Sequence, residues 1–359
     1  MITWLLLAAG LVLLIIGADL LVKGAARLAS AFGIPSLVIG LTVVAFGTSA
    51  PELAVSVKAA FAGEAELAVA NVIGSNIVNV LLILGISAVI LPLMISKQLI
   101  RQDVPIMVLC SVIIVLMAQD SQISKIESVL LVIGLLAYTL FLFWQGKKQG
   151  KAEVDDEITE LLKEPHPTWQ SALFVVGGLV LLVVGSGWLV DSAVELAKAW
   201  GVSEAVIGLT IVAIGTSMPE MMTSVVAAIK GERDIAVGNV VGSNIFNILS
   251  VLGVSGLVSP IPLAVGEQLA QIDIPVMLAV AMLCVPFFFA GAILNRIEGA
   301  LFLFLYVAYT WYLIAVALSK PYLAQLEQGI MFGLVPLVLL YVVWSLLADF
   351  RAKRQTEAS

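Results

Sequence analysis

The chain has 359 residues, 61% hydrophobic and 12% charged, with a mean hydropathy of +1.11. A water-soluble domain carries about 25% charged residues, so this composition excludes an ordinary globular enzyme and places the chain in lipid. The formal net charge of −7 says little in a chain with so few charges, and two cysteines in apolar stretches, Cys110 and Cys284, supply neither a disulfide framework nor a CxxC metal site.

Apolar stretches long enough to cross a hydrocarbon core of about 30 Å as helices recur along the chain. The first, 3–22, follows no basic region and runs on past Asp19, so it reads as a span and not as a cleaved leader. Spans 36–60, 68–93, 103–119 and 126–144 come next. A short charged segment, 145–167, holds the DDEITE run and the sole histidine, His166. Spans 169–190, 204–229, 235–260, 273–292, 296–317 and 329–348 complete a set of eleven. With the N-terminus outside and the C-terminus cytoplasmic, fourteen of the eighteen Lys and Arg residues lie on the cytoplasmic side, the usual bias in a cell membrane. Asp103 and Asp273, each two residues before a proline, are expected to cap the N-termini of spans four and nine. Asp19 and Lys23 are expected at the interface.

The sequence repeats. Residues 38–52 (VIGLTVVAFGTSAPE) and 206–220 (VIGLTIVAIGTSMPE) share 12 of 15 identities at an offset of 168, and 69–79 (VANVIGSNIVN) and 237–247 (VGNVVGSNIFN) share 8 of 11 at the same offset. The tripeptide AYT at 137–139 recurs at 308–310. The match covers five spans, an odd number, so the second copy enters the membrane from the opposite side. The expected fold is therefore an all-α polytopic membrane protein with two inverted-topology five-helix repeats and an extra C-terminal helix. The expected boundaries are 1–144 and 168–318 for the repeats, 145–167 for the linker, and 319–359 for the last helix and basic tail. Inverted repeats are typical of secondary transporters, whose substrate site lies near the midplane.

Glu52 and Glu220 occupy matched positions inside apolar spans, where a carboxylate costs on the order of 2.5–3.5 kcal/mol or more. Thr48 and Thr216 precede them by one helical turn and share their face. Pro51 and Pro219 cannot donate to the carbonyls of Gly47 and Gly215, so those oxygens are expected to open toward a cavity. The following spans carry polar stripes, Asn71, Ser75 and Asn79 in one repeat and Asn239, Ser243 and Asn247 in the other. For Ser75, Asn79, Ser243 and Asn247 ion contact and interhelical bonding both remain open; Asn71, Asn76, Asn239 and Asn244 read better as interhelical bonds. Gly40, Gly47, Gly74, Gly208, Gly215 and Gly242 read as close-crossing positions. All these ligands are hard oxygens suited to Ca2+ or Na+ and unsuited to Zn2+ or Cu+. Ser49 and Ser217 have no nearby histidine or lysine in the spans to act as base, so hydrolytic chemistry is not expected.

On GTSAPE (47–52), GTSMPE (215–220) and the paired GSNIxN segments, the chain resembles the cation/calcium antiporter superfamily, specifically its prokaryotic sodium/calcium exchanger branch, over spans one to ten. The resemblance implies Ca2+ held by Glu52 and Glu220, and Na+ held mainly by Thr48, Thr216, Ser75 and Ser243 with the backbone carbonyls of Ala45 and Ala213. Asn79, Asn247, Ser49 and Ser217 complete the candidate set. It implies Na+/Ca2+ antiport by alternating access, with the first and sixth spans sliding across the rest; the alternative is Ca2+/H+ antiport at the same site. Some relatives, including potassium-dependent exchangers, carry Asp where this chain has Asn247, which argues against K+ cotransport. The ions are the substrates and the bilayer the surroundings. No cofactor, nucleic acid or obligatory protein partner is expected.

Overall fold

The computed structural model describes residues 2–149, 167–202, 204–207, 210–211 and 213–358. His166, the DDEITE run and Gly208 lie outside these residues, as does most of the expected linker.

Helix α1 (Ile2–Phe32) is followed by a bent pair, α2 (Ser36–Thr48) and α3 (Ala50–Phe61), and then by α4 (Ala65–Ile90), α5 (Leu99–Asp120) and α6 (Lys125–Gln149). The second repeat runs through α7 (Thr168–Ala199), the short segments α8 (Glu204–Ile207) and α9 (Ala213–Thr216), α10 (Met218–Ile229), α11 (Arg233–Val258), α12 (Leu269–Phe289) and α13 (Arg296–Ala317). Helix α14 (Leu323–Arg351) comes last. Among the described residues nine helices are long and apolar enough to cross a membrane, and the bent pair makes a tenth span. The remaining expected span, the seventh at 204–229, is the stretch interrupted by undescribed residues.

Among the described residues the regular structure is helical apart from four two-residue strands. Strand β1 (Leu93–Met94) pairs antiparallel with β4 (Ile293–Leu294), and β2 (Gln122–Ile123) with β3 (Leu263–Ala264). Each ladder ties the segment after the third span of one repeat to the segment before the fifth span of the other. The packing is interleaved in the same way: α13 lies on α4, and α6 lies on α11. Glycines set these distances. A Cβ on Gly85 would stand 2.9 Å from Leu303 Cδ2, and one on Gly253 2.9 Å from Val132 Cγ2.

Helices α1 and α7 are longer than hydropathy suggests, 31 and 32 residues, or about 47 Å at 1.5 Å per residue. They exceed the hydrocarbon thickness, which demands tilt or emergence at the interface. They pack antiparallel along a seam of small residues spaced by seven. A Cβ on Gly10 would meet the Gly185 carbonyl at 2.7 Å, on Gly17 the Gly178 carbonyl at 2.9 Å, and on Gly24 the Ser171 carbonyl at 2.8 Å. Only residues without side-chain bulk allow backbones this close. The ends are fastened by Thr3 Oγ1 donating to Glu195 Oε1 at 3.0 Å and by the Arg27 guanidinium 5.2 Å above the Phe174 ring.

The expected caps at Asp103 and Asp273 are corrected. Neither side chain caps a helix: both residues lie inside helices that begin four residues earlier, at Leu99 and Leu269. Pro105 and Pro275 looked like helix starts. Instead the helix runs through each, and the turn before it widens to π geometry over Leu99–Asp103 and Leu269–Asp273, which accommodates the missing N–H. The buried Asp103 carboxylate accepts from Tyr138 Oη at 3.2 Å and Gln98 Nε2 at 3.2 Å, and Asp273 accepts from Tyr309 Oη at 2.7 Å. These tyrosines are the centres of the two AYT tripeptides. True capping boxes open α6 and α13 instead, Ser124 with Glu127 and Asn295 with Glu298.

Candidate ion site

The break between α2 and α3, and its counterpart before α10, follow from the sequence TSxPE. Proline at the second helical position tolerates the lost donor, so a new helix starts immediately before it with Ser49 or Ser217 at the joint (φ −79°, ψ 7° and φ −87°, ψ 9°). The first break bends the pair by 45°. Glu52 and Glu220 thus stand in the first turn of α3 and α10, where the helix dipole favours negative charge. Both are fully buried, 0% exposed.

The two halves interlock through these joints. Ser217 Oγ donates to Glu52 Oε1 at 3.0 Å, and Ser49 Oγ donates to Glu220 Oε1 at 2.9 Å. Each glutamate is therefore oriented by the opposite repeat. Among the described residues neither carboxylate has a basic partner; the ion pairs of Asp19 with Lys23 and Lys230 lie elsewhere, on partly exposed side chains. The second carboxylate oxygens, Glu52 Oε2 and Glu220 Oε2, make no hydrogen bond, nor do Ser75 Oγ, Asn79 Oδ1, Ser243 Oγ and Asn247 Oδ1. Ser75 and Glu220 lie within electrostatic reach of Glu52. Three orphaned oxygens of each repeat thus stand at equivalent positions on the glutamates and polar stripes, and a fourth matched pair without partners, Ser87 Oγ and Ser255 Oγ, follows eight residues beyond the asparagines. Buried polar atoms are ordinarily satisfied, so a matched set of six requires an explanation.

The asparagines divide by role. Asn71 Nδ2 donates to the Glu52 carbonyl at 3.3 Å and to Ser56 Oγ at 2.9 Å; Asn239 Nδ2 does the same for the Glu220 carbonyl at 3.2 Å and Ser224 Oγ at 2.9 Å. They fasten α3 to α4 and α10 to α11. Asn79 Nδ2 donates to Asn244 Oδ1 at 3.0 Å and Asn247 Nδ2 to Asn76 Oδ1 at 3.1 Å, which points their amide donors at each other's helix and leaves their carbonyls orphaned. Both α4 and α11 widen to π turns here, over Val78–Leu84 and Asn247–Leu252, a distortion common at functional positions.

Thr48 Oγ1 donates to Asn239 Oδ1 at 3.1 Å and approaches the Ala45 carbonyl at 3.3 Å, which also accepts from the Ser49 amide at 3.0 Å. Thr216 is half-buried. Ala213 begins the short segment α9. The carbonyl of Gly215 differs from expectation: it accepts from Ser186 Oγ on α7 at 2.7 Å. The proline does free this oxygen, but a hydroxyl from a neighbouring helix takes it. Of the expected crossing glycines, Gly40, Gly47, Gly215 and Gly242 are in close contact, whereas no described residue lies within 4 Å of a Cβ on Gly74. Ser56, Ser224 and Ser186 were not singled out from the sequence. Ser56 and Ser224 match at offset 168, so aligning the repeats residue by residue would have found them; Ser186 aligns with Ala18 and carries no such signal.

Comparison with known proteins bears on this geometry. The family model described as sodium/calcium exchanger protein matches residues 2–144 and 170–315. A putative antiporter, CaxA, of Alkalimonas amylolytica is 39% identical over 85% of this chain and 96% of its own length. A sodium/calcium exchanger of Methanosarcina acetivorans is 35% identical over 86% of this chain and 97% of its own. Among solved structures, the sodium-calcium exchanger NCX_Mj soaked with Na+ and Sr2+ superposes with a TM-score of 0.74 at 32% identity, covering 88% of this chain and 98% of that one. The doubled, interlocked repeat in a multi-pass membrane chain has the same origin as these antiporters: the chain belongs to the sodium/calcium exchanger family.

Proposed function

We propose that this protein exchanges Ca2+ for Na+ at a midplane site shared by Glu52 and Glu220. The carrying observation is the set of six buried oxygens without hydrogen-bond partners, three from each repeat. A hard cation that takes six to eight oxygens satisfies such a set, and two carboxylates match the charge of one Ca2+. Na+ competes for the same carboxylates, with Thr48, Thr216 and the Ala45 and Ala213 carbonyls as flanking ligands, so the two cargoes exclude each other. An empty site leaves two desolvated carboxylates, which raises the barrier to moving without cargo.

Alternating access in this reading moves α1 and α7 together, because their backbones are in contact along the glycine seam. The division into repeats at 1–144 and 168–318, a linker and a terminal helix, and the N-out, C-in orientation, belong to the same proposal. The Escherichia coli relative that is 40% identical over 71% of this chain is called an inner membrane protein, which supports a cell-membrane location.

The test is uptake of labelled Ca2+ into proteoliposomes loaded with Na+, with wild type beside Glu52→Gln and Glu220→Gln. Uptake should require the outward Na+ gradient and vanish in both variants. Uptake driven by a pH gradient without Na+ would replace the counter-ion with H+, and activity in the variants would displace the site.

A further inference from the structure

Pro219 has no amide hydrogen, so the Gly215 carbonyl four residues earlier loses its helical donor. That oxygen is buried next to α7, and Ser186 supplies the missing hydrogen bond at 2.7 Å. The approach is intimate: a Cβ on Gly215 would stand 2.2 Å from Val190 Cγ2, one turn along α7 from Ser186. Gly47 is also covered by α7, where a Cβ would stand 2.6 Å from Leu179 Cδ1. One helix therefore packs over the broken-helix glycines of both repeats.

Exact two-fold symmetry between repeats forbids this arrangement. At the offset of 168, Leu179 corresponds to Leu11, Val190 to Val22 and Ser186 to Ala18. The offset holds along these helices, since it carries Gly10 and Gly17 onto Gly178 and Gly185, the partners across the seam. A symmetric molecule would present Leu11 to Gly215 whenever it presented Leu179 to Gly47. Helices α1 and α7 are thus displaced to one side relative to the site helices. Exchanging the roles of the repeats generates the opposite conformer of an inverted-repeat carrier. In it α1 covers both glycines, Val22 lies on Gly47 and Leu11 on Gly215, and the residue facing the Gly47 carbonyl is Ala18. Alanine has no hydroxyl. The hydrogen bond present in one conformer has no counterpart in the other.

We infer that Ser186 is a positioning residue that holds the carrier in the conformer of this structure, through a hydrogen bond to the proline-freed Gly215 carbonyl that the opposite conformer cannot replace. The bond also fixes the peptide leading to Ser217, the residue that orients Glu52. This inference rests on the reading of Glu52 and Glu220 as the transported-cation site.

The experiment measures half-saturating Ca2+ for exchange at each face, in right-side-out and inside-out membrane vesicles, for wild type, Ser186→Ala, Ser186→Thr, Ala18→Ser and Glu52→Gln. Removing the hydroxyl orphans a buried carbonyl in one conformer only, which should shift the conformational equilibrium about tenfold. Ser186→Ala should then weaken apparent affinity at one face and strengthen it at the other. Ala18→Ser adds the missing bond to the opposite conformer and should move the ratio of the two values in the same direction. Ser186→Thr keeps the hydroxyl and should keep the wild-type ratio. A defect of packing alone would weaken both faces together. That result, or a ratio within twofold of wild type in both Ser186→Ala and Ala18→Ser, overturns the inference. Exchange persisting in Glu52→Gln would overturn the site reading instead, so the two failures are distinguishable.

Discussion

Glu52 and Glu220 each hold one carboxylate oxygen against a serine of the opposite repeat and leave the other unpartnered. The serine hydroxyls thereby fix the direction of the second oxygens, and a ligand held in place before the ion arrives loses less entropy on binding it. Ser49→Ala and Ser217→Ala should each weaken Ca2+ binding about ten- to a hundredfold, the equivalent of a hydrogen bond to a charged group at roughly 1.5–3 kcal/mol. Calorimetric titration of the purified protein checks this, and an unchanged affinity in both would remove the serines from the site. The two glutamates, their threonines and the polar stripes were legible in the sequence because lipid makes a buried carboxylate conspicuous and the repeat shows it twice. The serine bonds were not, because they cross between repeats and depend on how the two breaks face each other.

At the scale of elements, the glycine seam joins α1 to α7. Its spacing of seven was present in the sequence at Gly10, Gly17 and Gly24, but glycine is common in membrane helices and only the partner's Gly178 and Gly185 give the spacing meaning. A Cβ on Gly17 would stand 2.9 Å from a backbone carbonyl, which cannot rotate away as a side chain would. Gly17→Leu should therefore force the helices apart and lower the thermal midpoint by several degrees, as overpacking of about 1–3 kcal/mol does. Gly187→Ala, on the same α7 with no described residue within 4 Å, should leave the midpoint unlowered or slightly raised, since alanine favours the helix. Thermal unfolding followed by intrinsic fluorescence compares the two, and equal midpoints would mean the seam is not a tight contact. The prolines carry the opposite lesson. Pro51 and Pro219 break their helices as read, whereas Pro105 and Pro275 sit inside continuous ones. The difference lies in the turns before them: Leu99–Asp103 and Leu269–Asp273 widen to π geometry, and no residue type in those turns announces that. The Tyr138–Asp103 and Tyr309–Asp273 bonds then join the fifth span of each repeat to its fourth. The AYT repeat contained one partner, but not the other.

For the whole molecule, the odd number of spans per repeat and the two copies of GTSxPE were enough to give the inverted architecture, because topology follows from counting. The interleaving of the repeats was not legible, since four two-residue strands and helix pairs far apart in sequence leave no periodic trace. The terminal helix stands outside both. Only 6% of the apolar window of α14 is buried, against 100% for α11 at the centre, and the family match ends at residue 315. Its contacts include Tyr341 against the Phe287 ring at 5.9 Å, a hydrogen bond from Tyr312 Oη to Glu327 Oε1 at 3.3 Å, and Ser345 near the Glu298 carboxylate. Removing a helix from a soluble protein exposes apolar surface to water at a large cost. In a bilayer the vacated surface meets lipid tails as apolar as the helix was, so the penalty reduces to lost packing and the few polar bonds. Glu298 retains its bond to the Asn295 amide within the capping box. A chain ended at Ser319 should therefore insert, remain monodisperse, and transport Ca2+ at no less than about half the wild-type initial rate in lipid, because none of the six orphaned oxygens lies on α14. Uptake lost from a monodisperse truncated protein would give α14 a part in the transport cycle; uptake retained would confine exchange to the two repeats.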